Sequence, residues 1–357
     1  MGAEAGLRIA FVAGLSDKKL GQKLSPLLAM DDVTQVELFR RSPYPESKKL
    51  RAFPTSRLGR RLPFLGDLER LFCLLWRARH CDVVVGCFQL YHGVLAHVVG
   101  RLWNKPVIQL VITDVDWNIP RFLARWCMLR ADACGVRGPV SVEKLRAQRF
   151  NGPIAVIHNP IGSLPQILPV ASPSHDVIAV GNFALEKDYP TLVSALGLVK
   201  KRLGRLKAMI CGEGFPGILA TALDQAGITN DVDFPGHLHA EALEAAFAAS
   251  RILVLSSAVE GLPMVAVEAM AHGLPVVSTN VGEMDWLICD GVEGRLTQPG
   301  DPLALAEAVI GLLSQPDRLA AMGRSARDRV RELAGEFDIQ QISSSWKRLF
   351  RELGLRS

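Results

Sequence analysis

Glu260-Gly-Leu-Pro-Met-Val-Ala-Val-Glu268 sets two carboxylates eight residues apart, between strand-like runs at 252–255 and 275–278. The Gly-Leu-Pro turn followed by Met-Val-Ala-Val-Glu-Ala-Met-Ala predicts a loop opening into a helix, with Glu268 two turns beyond Glu260. Backbone N–H groups at such a helix start favour anions. Carboxylates for hydroxyls beside amides for phosphate suit a ligand that carries both, such as a nucleotide sugar. Strand, ligand loop, helix and strand in that order is the unit of a parallel α/β sheet.

Working outward, continuous apolar runs alternate with helical stretches along the whole chain. In the first half they fall at 7–13, 34–39, 82–86, 106–112, 133–137 and 154–157. In the second half they fall at 176–180, 206–211, 232–234, 252–255, 275–278 and 294–297. Such strands imply parallel sheets covered on both faces. Two doubly wound units follow, joined by the Pro- and Ser-rich stretch 162–174. Ligands of such sheets bind beyond the carboxyl ends of the strands, here expected in a cleft between the two domains. A last amphipathic stretch, 337–353, carries Ile339, Ile342, Trp346, Leu349 and Phe350 on one side.

The 357 residues suffice for two cores. No apolar run reaches the roughly 18 residues of a membrane span, and residues 7–15 are too short and charged for a signal peptide. Seven scattered cysteines without CxxC spacing suggest reduced thiols and a cytoplasmic protein. Charge is uneven. Residues 1–165 hold 24 Lys and Arg against 13 Asp and Glu, a net of +11; residues 166–357 hold 17 against 23, a net of −6. The basic half points to an anionic surface or substrate, for which nucleic acid and an anionic membrane face both qualify.

The second half resembles the retaining glycosyltransferases of family 4, the glycosyl transferases group 1, with a GT-B fold. The resemblance rests on motifs in order: Val180-Gly-Asn182 with Glu186-Lys187-Asp188, Ile210-Cys-Gly212-Glu213-Gly214, Phe234-Pro-Gly236-His237, the Glu-x7-Glu segment, Gly273-Leu-Pro-Val-Val-Ser278, Asn280-Val-Gly282-Glu283 and Asp290-Gly291. They cover roughly half the chain and are far more specific jointly than singly. The first half matches in layout, including His158-Asn-Pro-Ile161. The resemblance implies two Rossmann-like domains facing a cleft. Residues 1–165 would bind the acceptor and 166–335 the nucleotide sugar, with 336–357 packing back on the first domain.

It also implies roles. Lys187 would bind the donor diphosphate, Glu268 the ribose hydroxyls and Glu260 a hydroxyl of the transferred sugar. Amides of Gly261, Leu262, Pro263–Met264 and Val265 would meet phosphate and sugar. Gly212 and Glu213 would line the donor site, and Gly236, His237 and Leu238 would flank the base. Asn182 stands where the family usually has Arg, removing one cation; Lys18 or Lys19, in the loop 14–21, would supply another. No His follows the central strand, where Thr113-Asp114-Val-Asp116-Trp117 lies. Asp114 and His92 are the catalytic candidates in this half. The class needs little protein base, because the departing phosphate oxygen accepts the acceptor's proton. The expected activity is transfer of a hexosyl or N-acetylhexosaminyl group from a UDP-, GDP- or ADP-sugar, with no essential metal. The acceptor would be a glycan or a lipid-linked molecule of bacterial envelope polysaccharide synthesis, at the inner face of the cytoplasmic membrane. That choice makes nucleic acid no partner.

Rival readings remain. A non-catalytic transferase-like subunit supporting a partner enzyme is favoured by Asn182 and the missing His. Gly212-Glu-Gly-Phe-Pro-Gly217 formally matches G-x-G-x-x-G, with Asp231 or Asp233 as a ribose acid, but Pro216 fits poorly with a helix start. Asp114-Val-Asp116 matches a metal-binding DxD of another transferase fold, one without Glu-x7-Glu. In 57–79, Leu68, Leu71, Phe72, Leu75 and Trp76 share a helical face flanked by arginines, with a start expected near Asp67. A core helix and a helix lying on anionic lipid both fit. For 121–130 the core reading is stronger.

Overall fold

Runs such as Val83-Val-Val-Gly-Cys87 have no polar face and become strands only where both sides are covered. A computed structural model of the chain describes residues 6–88, 91–115, 122–162, 173–214 and 217–355. It divides into two units, Met1–Ile161 with Gly335–Ser357 and Gly162–Ala334.

The first unit begins with β1 (Leu7–Val12), α1 (Asp17–Leu28), β2 (Val33–Arg40), β3 (Leu50–Pro54), α2 (Arg57–Arg61) and α3 (Pro63–Ala78). It continues through β4 (Val83–Cys87), α4 (Tyr91–Leu102), β5 (Val107–Leu110), α5 (Phe122–Leu129), β6 (Ala133–Val136), α6 (Pro139–Ala147) and β7 (Ile154–Val156). All seven strands are parallel, in the order β3-β2-β1-β4-β5-β6-β7. Leu7, Ile9 and Phe11 face α1, while Ala10 and Val12 face the layer of α3 and α4, so β1 is sealed on both sides. Each fully buried Leu, Ile or Phe here stabilises the unit by about 1.5–3 kcal/mol.

The second unit holds β8 (His175–Val180), α7 (Tyr189–Leu203), β9 (Ala208–Cys211), α8 (Gly217–Gln225), β10 (Val232–Gly236), α9 (Ala240–Ala248) and β11 (Ser250–Leu255). Then come α10 (Met264–Ala271), β12 (Val276–Thr279), α11 (Met284–Leu287), β13 (Gly294–Thr297), α12 (Pro302–Leu313) and α13 (Pro316–Glu332). Its parallel order is β10-β9-β8-β11-β12-β13. The chain runs outward from β8 on one side and resumes on the other, so the order reverses between β8 and β11. The chain closes with α14 (Ile339–Glu352), which belongs to the first unit. Its Ile342, Trp346, Leu349 and Phe350 lie in the core around α1, and the Ser343 hydroxyl donates to the Pro26 carbonyl at 2.8 Å.

Several sequence expectations shift. The strand β3 is absent from the expected set because Arg51 and its neighbours make it an edge strand with little apolar signal. Helix α3 starts at Pro63, four residues before Asp67: Pro sits at N1, where its missing N–H costs nothing. Gly66 does not break it, because its bare Cα lets the Gly59 backbone approach; a Cβ there would lie 2.3 Å from the Gly59 carbonyl. Its buried side is Leu74 and Ala78, while Phe72 and Trp76 point to solvent. On α5, Ala124, Cys127 and Met128 are buried, but Phe122, Leu123 and Trp126 are exposed, so the core reading holds for one side only. Lys18 and Lys19 lie in the first turn of α1 rather than in a loop. The linker expected at 162–174 falls mostly outside the described residues, as do Asp116 and Trp117.

A buried carboxylate explains how α3 is held. Glu37 on β2 is wholly buried and accepts from Arg77 Nη2 at 2.7 Å, Arg77 Nε at 2.9 Å and Arg8 Nη2 at 3.1 Å. Such charges persist inside only when paired and bonded in this way.

Candidate functional site

The carboxyl ends of the second unit's strands carry the residues singled out by sequence. Gly181 and Asn182 follow β8, Gly212 and Glu213 follow β9, and Gly236, His237 and Leu238 stand at the end of β10. Glu260 and Gly261–Pro263 follow β11, before α10. Asn182, Glu213 and His237 are exposed and Leu238 is half-buried, whereas Gly261, Leu262 and Pro263 are buried. The strand ends are tied together by backbone bonds, Gly181 N–H to the Cys211 carbonyl and Gly212 N–H to the Gly236 carbonyl, each 2.9 Å. Gly214 has φ +76°, and Phe215 and Pro216 of the formal glycine motif lie outside the described residues.

At the point where the sheet order reverses, Lys187 meets Glu260. Lys187 closes a short 3-10 turn after β8, and its Nζ bonds Glu260 Oε1. The same oxygen accepts from the Ser257 hydroxyl at 2.8 Å. The Ser256 hydroxyl donates to the Lys187 carbonyl at 2.8 Å, and Ala258 N–H donates to the Glu186 carbonyl at 2.8 Å. The two loops are thus one polar unit. Both side chains are largely buried, at 21% and 15% exposure, so their attraction is weakly screened. Glu260 Oε2 accepts no hydrogen bond among the described residues, which leaves it for a ligand donor. A small pocket lies here, lined by Val180, Lys187, Tyr189, Leu255, Ser256 and Ser257. The Tyr189 hydroxyl is fixed by the Gly181 carbonyl at 2.6 Å, and burial raises its pKa.

Helix α10 starts at Met264 with Pro263 before it and no side-chain cap. Helix N-terminal N–H groups lack intrahelical partners and carry the positive end of the dipole. Val265 and Glu268 are half-buried, and Glu268 sits one turn into the helix. Glu260 itself is in the loop, so the two carboxylates belong to different elements rather than to two turns of one helix.

The loop after β12 presses on this segment. Gly282 has φ +62°, and a Cβ there would stand 2.0 Å from the Gly261 carbonyl and 2.6 Å from that of Glu260. Only glycine meets both demands. Next to it, Glu283 N–H donates to the Gly261 carbonyl at 2.8 Å. The Thr279 hydroxyl donates to the Ser257 carbonyl at 2.6 Å. Sequence reasoning missed Ser256, Ser257 and Thr279 as site residues. Their signal was position alone, directly after β11 and at the end of β12.

In the first unit, the Asp114 carboxylate accepts from Lys144 Nζ at both oxygens, at 2.8 and 2.9 Å. His92 opens α4 and its ring lies against Gly14, where a Cβ would be 2.5 Å from Cε1. Arg70 Nη1 is 3.4 Å from His92 Nε2. Burial first, then the Arg70 charge, push the His92 pKa down to about 4, so its ring is neutral near neutral pH.

Comparison with known proteins bears on the whole arrangement. The family described as Glycosyl transferases group 1 matches residues 163–329. A D-inositol 3-phosphate glycosyltransferase of Corynebacterium urealyticum is 30% identical over 150 residues, 40% of this chain and 35% of that protein. The match spans well under half the length of such curated relatives. Among solved structures, a sucrose-phosphate synthase from Thermosynechococcus elongatus superposes with a TM-score of 0.80 at 20% identity, over 98% of this chain and 99% of that one. Anabaena HepE in complex with UDP and glucose gives 0.73 at 18% identity, over 97% and 99%. The chain has the GT-B fold, and residues 163–329 form a Glycosyl transferases group 1 domain.

Proposed function

Starting from that domain and fold, we propose that the protein is a retaining glycosyltransferase. It moves a hexosyl or N-acetylhexosaminyl group from a nucleoside-diphosphate sugar to a glycan or lipid-linked acceptor. The observation that carries this reading is the Lys187–Glu260 pair at the sheet's reversal point, beside the start of α10. A diphosphate there meets the Lys187 ammonium and the α10 amides, which stabilise the charge that grows as the sugar leaves. Glu260 Oε2 takes a hydroxyl of the transferred sugar, Glu268 the ribose hydroxyls, and the segment Gly236–Leu238 flanks the base. As the bond from the sugar's anomeric carbon to the diphosphate breaks, its electron pair stays on the departing phosphate oxygen. That oxygen takes the acceptor hydroxyl's proton while the new bond forms on the same face, so no protein base is needed. No essential metal is required.

UDP-sugars are the first donors to test, because HepE was captured with UDP and glucose. In the first unit, His92 and Asp114 are assigned to the acceptor-binding side. The net charge of +11 over residues 1–165 favours an anionic acceptor. That supports envelope polysaccharide assembly at the inner face of the cytoplasmic membrane, by a chain in which no helix among the described residues is long and apolar enough to cross a bilayer. A thermal-shift panel of UDP-, GDP- and ADP-sugars, followed by assay of sugar transfer or donor hydrolysis, tests the reading. Stabilisation by one donor series with turnover supports it. The second reading, a non-catalytic subunit, is favoured by the exposed, uncharged Asn182; binding without hydrolysis or transfer selects it.

A further inference from the structure

All but four of the large apolar side chains exposed among the described residues lie between Leu58 and Trp126; the four are Leu185, Leu198, Val292 and Leu303. That interval is the helical layer α2–α5 on one face of the first unit's sheet. Phe64 and Phe72 are 78% and 67% exposed, Trp76 64% and Phe122 84%. The side chains are linked into one surface. The Trp103 indole N–H, just beyond α4, donates to the Leu75 carbonyl of α3 at 2.8 Å, and the Trp126 ring of α5 stands edge-on to His97 of α4 at 5.4 Å. The layer is anchored from below by Arg77 on buried Glu37, so the outward side is held in place.

The rim of this surface is cationic. Arg57, Arg60, Arg61 and Arg125 are exposed, and among the described residues none of them forms an ion pair. The nearby carboxylates are engaged: Asp67 by Arg70, Glu69 by Ser56 and Asp132 by Arg101. Two arginines stack on the tryptophans, Arg79 over Trp76 at 3.8 Å and Arg130 over Trp126 at 4.7 Å. Indoles beneath guanidinium groups, beside bare phenylalanines, form the chemistry of the bilayer interface: rings enter the acyl boundary while cations meet lipid phosphates.

We infer that the α2–α5 layer docks on an anionic lipid bilayer, with Phe72, Trp76 and Phe122 entering the interface and the arginine rim holding headgroup phosphates. Charge complementarity selects lipid over a second copy of the chain, since two such basic rims facing each other would repel. The inference deepens the lipid-linked acceptor reading and rests on it for its purpose, but its test does not use sugar transfer.

The full-length protein is floated with phosphatidylcholine vesicles and with vesicles containing a third phosphatidylglycerol, without nucleotide, while tryptophan emission is followed. Binding to the anionic vesicles alone, with a blue shift and a loss at high salt, is expected. W76S/F122S is expected to weaken binding at least tenfold, and R57E or R61E about fivefold or more. Unchanged melting temperature and nucleoside-diphosphate binding show that these surface variants fold. Absence of vesicle binding overturns the inference, as does binding that W76S/F122S leaves intact. Concentration-dependent dimerisation abolished by W76S/F122S, without lipid binding, also overturns it and identifies a copy interface. Nucleotide binding that survives a negative vesicle result leaves the donor-site reading standing.

Discussion

Lys187 and Glu260 lie 73 positions apart in sequence and form an ion pair across the reversal point between β8 and β11. The pair joins the group assigned to the diphosphate with the group assigned to the sugar. A ligand must therefore share or divide it, which makes the two residues separable by experiment.

Lys187→Ala is expected to weaken nucleoside-diphosphate binding and to lower kcat/KM for the donor on the order of 100-fold, the scale of removing one charge stabiliser. Glu260→Gln should lower kcat by a similar factor while leaving free nucleoside-diphosphate affinity within a few-fold. Calorimetry with the diphosphate beside steady-state kinetics checks the split. Equal loss of diphosphate binding in both variants would contradict the assignment of Glu260 to the sugar.

Gly282→Ala introduces a Cβ into the Gly261 carbonyl at a residue with φ +62°. The loop carrying Gly261–Pro263 must move. A loss of about 1–3 kcal/mol of stability is expected, with weaker donor binding. Denaturant unfolding and a donor titration on the same sample measure both.

Glu37→Ala leaves Arg77 and Arg8 without their buried acceptor. Breaking such a buried pair costs about 3–5 kcal/mol. Chemical unfolding is expected to show this loss, and double replacement with Arg77→Met should recover part of it, because the stranded charge is then gone as well.

Stability should fall on acidification below pH 6.5. Burial pushes His158 down to about 3, helped by the Arg137 and Lys23 charges, and His92 down to about 4. The Glu336 carboxylate, 3.8 Å from His158, is more than half exposed and too well solvated to offset this. The unfolded chain then binds more protons than the folded one between those values and 6.5. Each histidine removes on the order of 3 kcal/mol by pH 4 and contributes nothing above pH 6.5. Melting temperature against pH should have a shallower acid limb in His158→Gln than in the unmodified protein.

Much of the site was legible because parallel α/β sheets put ligand loops directly after apolar strands. Apolar runs located twelve of the thirteen strands among the described residues, all but β3, and Gly236, Gly261 and Gly282 marked turns beyond them. The edge strand β3 was not legible, since Arg51 and a solvent-facing side leave no continuous apolar run. Ser257 was equally silent: a serine after a strand carries no signal until its distance to Glu260 is known.

Sequence alone determined the two-unit parallel architecture and the order of the motifs, and it singled out Glu260 and Glu268 as candidate ligand groups. These depend on local patterning, which the backbone obeys within each βα unit. Tertiary structure decided that Lys187 and Ser257 share one oxygen of Glu260, that Glu37 anchors α3, and that Phe72, Trp76 and Phe122 face outward. Those outcomes depend on which strands become neighbours and which helix side the sheet covers, and a helical period of apolar residues is the same whether its face meets protein or solvent.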